Sequence, residues 1–152
     1  MLDAAAGRRC ACGLLVAMLL GASPAQAAER YMIEMALWIE GSKRGEPMLI
    51  VEPGEPAEIS STDPEGENGW RIELEVEPPA PIDGGAGGAI WLHLSIHRLV
   101  DGNWQYLTHS MLGVPEGESN TLSVASGDGE SGRDDALVHL TAVLSRLQPA
   151  DG

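Results

Sequence analysis

Apolar and polar residues alternate with a period of two through much of this chain. In WRIELEVEP, Ile72, Leu74 and Val76 fall on one side, and Arg71, Glu73, Glu75 and Glu77 on the other. Successive side chains of a strand point to opposite faces, so this segment reads as a half-buried antiparallel strand with a wet outer face. IWLHLSIHRLV repeats the pattern: Leu92, Leu94 and Ile96 oppose Trp91, His93, Ser95 and His97. In YMIEMALWIEG, Ile33, Met35, Leu37 and Ile39 alternate with Trp38 on the other side. Its Met, Ala, Leu and Glu also suit a helix, but the short length and the period favour a strand. Further strands are expected at MLIVE, AEIS, WQYLTHSMLGV and NTLSV. ALVHLTAVLSRL is ambiguous by composition, and its β-branched residues favour a strand. Between these, GSKRGEP reads as a turn carrying Lys43 and Arg44, and PGE, DGN and PEGES read as tighter turns. STDPEGENG and ASGDGESGRDD are polar loops, and PPAPIDGGAGGA (78–89) is a flexible linker.

MLIVEPGEPAEIS, residues 48–60, returns as MLGVPEGESNTLS, residues 111–123, with Met, Leu, Val, Gly, Glu and Ser kept in place. WIEG (38–41) likewise answers LVDG (99–102). The halves, about 31–78 and 89–149, share the order strand, strand, short strand, strand. A four-strand unit with one apolar face cannot bury that face alone, but two units facing each other can. The expectation is a single domain over 28–152: an all-β, antiparallel β-sandwich of about eight strands, built from two repeat-like four-strand units.

The run of glycine, proline, valine, Gly-Glu and alternating apolar residues over 34–76 resembles small β-rich extracytoplasmic modules of Gram-negative bacteria. Some of those are uncharacterised secreted proteins, and others are periplasmic tails of membrane sensor metalloproteases. The resemblance rests on turn and strand residues and implies a compartment and a fold, not an active site. No zinc-protease motif accompanies it here.

The first 27 residues change the accounts of charge and cysteine. Arg8 and Arg9 precede the apolar run Leu14–Ala22, and Ala25-Gln26-Ala27 offers small residues for cleavage after Ala27. The run is too short for a membrane span, which needs about 20 residues. Residues 1–27 are therefore expected to be a cleaved signal peptide, leaving no integral membrane span and placing the protein in the periplasm or outside the cell. Both cysteines, Cys10 and Cys12, lie in the leader, so the remaining chain uses no disulfide in a compartment that permits them. Nine basic and 23 acidic residues become seven and 22, a net charge of −15. Such a charge repels nucleic acid and anionic lipid headgroups, and favours solubility and cationic partners.

Candidate chemistry is sparse. His93 and His97 are weak metal candidates, because on a strand their α-carbons stand about 13 Å apart at roughly 3.3 Å per residue. Ser95 or Ser110 with His109 supplies the ingredients of a serine hydrolase, but no G-x-S-x-G elbow or oxyanion loop accompanies them. The acidic Gly-rich loops miss the EF-hand spacing, since Leu74 stands where its bidentate glutamate belongs. No cofactor is implied. Trp91 shares a face with His93, Ser95 and His97, and Trp38 also opposes its apolar neighbours. Packing at a sheet edge is the ordinary use of such tryptophans, and an anchor for a partner or a sugar is the functional one. The sequence thus predicts a non-enzymatic binding or accessory protein of the cell envelope with a protein partner. Trp91, His93, Ser95, His97 and Trp38 are the candidate surface. A glycan- or peptidoglycan-binding module is the rival, and a hydrolase the third reading.

Overall fold

A computed structural model describes residues 29–78, 88–127 and 133–148. The leader, most of the 78–89 linker and part of the 126–135 loop lie outside them. The described residues form nine strands and no helix: β1 Arg30–Ile39, β2 Ser42–Gly45, β3 Met48–Val51, β4 Ala57–Thr62, β5 Gly69–Glu77, β6 Ile90–Val100, β7 Asn103–Val114, β8 Ser119–Ala125 and β9 Ala136–Leu147. One sheet runs β2-β1-β9-β8, with β3 also on β1, and the other runs β4-β5-β6-β7. All pairings are antiparallel. The expected β-sandwich is present, with one strand more than anticipated. GSKRGEP is not only a turn: Ser42–Gly45 pairs with the end of β1, and Pro47, with no N–H to give, separates it from β3 on the same edge.

The inward faces carry the alternation read from the sequence. Ile33, Leu37 and Leu140 of one sheet meet Ile72, Leu92, Leu94 and Ile96 of the other, all fully buried. Trp70 closes the sandwich at one side. Its indole lies over Gly45 of the opposite sheet, where a Cβ would stand 3.1 Å from the ring, and its Nε1 donates to the Arg44 carbonyl at 3.2 Å.

The repeat units do not each make a sheet, contrary to the simplest expectation. The repeated phrase is the corner at which the chain leaves one sheet for the other: β3 to β4 on its first occurrence, β7 to β8 on its second. Each sheet therefore takes two strand positions from each half, and the halves interlock. The registers correspond through the central pairs. The β6–β7 hairpin runs two pairs longer than β1–β2, and β8–β9, unlike β4–β5, has an irregularity at its end. The Ile33–Leu49 pair of β1 and β3 answers Leu92–Leu112 of β6 and β7, and Ile59–Ile72 of β4 and β5 answers Leu122–Leu140 of β8 and β9. Across the unit boundary, Ile33–Leu144 answers Leu92–Val76.

The two corners are built alike. Gly54 and Gly117 hold left-handed φ angles of 76° and 78°. The Gly54 N–H donates to the Val76 carbonyl at 2.9 Å, and the Gly117 N–H to Leu144 at 2.8 Å. Both β1–β2 and β6–β7 turn through an acid and a glycine in the left-handed region, Glu40-Gly41 and Asp101-Gly102, as tight hairpins of right-twisted strands require.

Candidate binding face

Alternation along β6 turns Ile90, Leu92, Leu94 and Ile96 into the core, so Trp91, His93, Ser95 and His97 project together from the outer face of the second sheet. The register sets their neighbours. Trp91 lies between Glu77 and Gly113, His93 between Glu75 and Met111, Ser95 between Glu73 and His109, and His97 between Arg71 and Tyr106. On β4, Glu58 stands opposite Glu73, and Ser60 opposite Arg71. The face is acidic on β4 and β5, and aromatic and thioether-bearing on β6 and β7. Trp91 is 39% exposed, Trp104 41%, Tyr106 60% and Met111 54%.

Trp104, Tyr106 and Met111 were not singled out by sequence reasoning, and a bulge explains the first two. Ile96 pairs with Thr108 but His97 with Tyr106, so Leu107 is an extra residue on β7. Thr108, Leu112 and Val114 are buried. Simple alternation would put Trp104 and Tyr106 on their side. The bulge packs Leu107 against the core and delivers both aromatics to the outer face.

Side-chain contacts fix much of this surface. The Arg71 guanidinium carbon lies 4.6 Å from the Trp104 ring centre, and His97 meets Tyr106 edge-on at 5.6 Å. Arg71 Nε sits 3.3 Å from Glu73 Oε1, an ion-pair distance without hydrogen-bonding geometry. The Trp91 ring covers Gly113, where a Cβ would stand 3.1 Å from it. Trp91 thus shields an edge strand and leaves part of its ring in solvent.

Trp38 belongs elsewhere. It projects from the outer face of the first sheet, on the opposite side of the sandwich, and does not join Trp91. His139 meets it edge-on at 5.5 Å, while Lys43 and Arg133 stand 5.6 and 5.5 Å from its ring centre. His139 also shares a 2.7 Å hydrogen bond with Ser123. Partial burial, then the Arg133 charge, holds its pKa below the ordinary histidine value, with Asp134 opposing.

The two metal candidates have separate partners. His93 Nε2 is 2.9 Å from Glu77 Oε2, whereas His97 Nδ1 is enclosed without a hydrogen-bond partner. Among the described residues no three His, Cys, Asp or Glu side chains gather as an ion site. Ser95 Oγ does lie 2.9 Å from His109 Nδ1, the pair considered from sequence. Glu73, opposite Ser95, sits against Arg71 rather than behind the histidine. In the first acidic loop Asp63 is occupied by its own backbone: its carboxylate accepts from the N–H groups of Glu67 at 2.8 Å and Asn68 at 3.1 Å. These bonds, Asn68 first, hold its pKa below the ordinary value.

A polar cleft of about 400 Å³ opens at the hairpin end, lined in part by Glu40, Arg44, Asn68 and Arg98. Arg98 spans it, with Nη1 2.8 Å from Glu40 Oε2 and Nε donating to Gln105 Oε1 at 2.9 Å. Comparison with protein-family models, with curated proteins and with solved structures returns no match.

Proposed function

We propose that this chain is an exported, non-enzymatic binding protein of the cell envelope that engages a protein partner through the outer face of β5, β6 and β7. One observation carries the reading. Four of the six large hydrophobic residues left exposed in the described structure lie on this face, Trp104 beside Tyr106 at one end and Trp91 beside Met111 at the other. Clustered aromatics framed by polar groups are what a partner's side chains bury most profitably. The leader pattern and the resemblance to extracytoplasmic β-rich modules support the envelope as the place of work.

The glycan reading asks for open ring faces on which sugars stack. Here Trp91 lies against Gly113 and Trp104 against Arg71, which favours a protein partner over a sugar. A photo-activatable amino acid at Tyr106, compared with one at Thr121 on the opposite outer face, tests the proposal in cells. A defined cross-linked protein from position 106 and none from 121 is the expected result. Equal products from both positions, or none from 106, would refute it.

A further inference from the structure

The correspondence of the two halves provides an internal control on this face. Matching registers pair the four outer acids of β4 and β5 with positions of the first sheet: Glu58 with Thr121, Glu73 with Thr141, Glu75 with Val143 and Glu77 with Ser145. The same pleated framework is therefore built once with a column of four carboxylates and once with none at those positions. The sandwich itself does not need the acids.

Their arrangement also works against the fold. Glu58 and Glu73 stand directly across from each other, and like charges so placed are destabilising. Arg71 offsets the charge of Glu73, and His93 shares a hydrogen bond with Glu77. Glu58 and Glu75 make no ion pair among the described residues.

Resting on the proposed protein-binding role of this face, we infer that its occupant is a cationic, amphipathic segment of the partner, rich in lysine or arginine alternating with apolar residues. Two strand spacings, about 10 Å, separate β5 from β7. A segment lying over β6 can place its cations against the carboxylates of β4 and β5, and its apolar side chains against Met111, Tyr106 and Trp104. Charge complementarity chooses this occupant. The surroundings of a chain at −14 repel an acidic segment, and a neutral one leaves the carboxylates unanswered.

The test uses the purified protein and three synthetic ten-residue peptides, in which leucine alternates with lysine, with serine or with glutamate. Binding is followed by titration calorimetry and by backbone amide shifts. The lysine peptide should bind, move amides of β5–β7, and weaken as sodium chloride rises. The Glu58→Gln/Glu75→Gln double variant should lose about two- to fivefold in affinity per carboxylate removed. Glu34→Gln, on the opposite outer face, should stay within about twofold of wild type. No binding of the lysine peptide, equal binding of the serine peptide, or equal losses in the Glu34 and Glu58/Glu75 variants would overturn the inference. Oligosaccharides that move the β5–β7 amides in place of the peptide would overturn it too. Salt dependence on the unmodified protein keeps the test decisive if the double variant folds poorly. Should the peptides fail while position 106 still cross-links a protein, the charge reading falls and the binding reading stands.

Discussion

Replacing the corner glycines by alanine, singly and together, tests whether the two halves are built by the same physics. Gly54 and Gly117 share φ within 2°, and an added Cβ meets nothing within 4 Å at either site. Packing therefore drops out, leaving two conformational terms. Holding an L-residue in the left-handed region costs about 1–2 kcal/mol, and the stiffer unfolded chain returns about 0.4–1 kcal/mol. Each variant should lose about 0.5–1.5 kcal/mol, or about 3–5 °C in melting temperature per kcal/mol for a domain of this size. The two corners donate to different carbonyls, Val76 and Leu144, so the double variant should show the sum. Urea unfolding followed by tryptophan fluorescence measures all three. Losses at the two sites that differ by more than about 1 kcal/mol, or a gain at either, would refute the claim that the corners are equivalent.

Trp70→Ala should cost about 3–5 kcal/mol, because it empties the closure between the sheets and leaves the Arg44 carbonyl unanswered; equilibrium unfolding within 1 kcal/mol of wild type would contradict this role. His139 gives a pH dependence of known sign. Its folded pKa lies below its ordinary 6.5, so the folded state binds the proton less readily than the unfolded chain. Its contribution is complete above about pH 6.5 and is lost as pH falls through the depressed value. Urea midpoints measured from pH 7.5 downward should decline less steeply for His139→Gln than for wild type just below pH 6.5.

The acid column shows how a surface can be paid for by a core. Among the described residues, twenty mutually packed buried side chains hold the sandwich, and the outer strand faces are free to carry charges that repel one another. Such a column is tolerated because exposed like charges cost little in water. It would become favourable once a partner supplied the opposite sign.

Much of this was legible in order along the chain. Alternation assigned Ile72, Leu74 and Val76 to the core and His93, Ser95 and His97 to one outer face, because a strand's period is independent of what it packs against. Turn chemistry located the Asp101-Gly102 hairpin for the same local reason. β2 escaped notice because four polar residues, Ser42 to Gly45, become a strand only when the β1 edge supplies hydrogen bonds. Trp104 and Tyr106 escaped because a single extra residue on β7 reverses alternation, and that residue is defined only by pairing with β6.

By itself, then, the sequence determined the all-β character, the faces of the strands that keep an unbroken period and the existence of two similar halves, since these follow from backbone sterics and side-chain polarity within a few residues. Tertiary structure alone decided that the repeated phrase switches sheets, so that the halves interlock, and that Trp38 and Trp91 lie on opposite sides. It also decided that four carboxylates stand beside an aromatic patch. Those outcomes depend on which strands pair across long stretches of chain, a choice made by the joint burial of both apolar faces and written in no single segment.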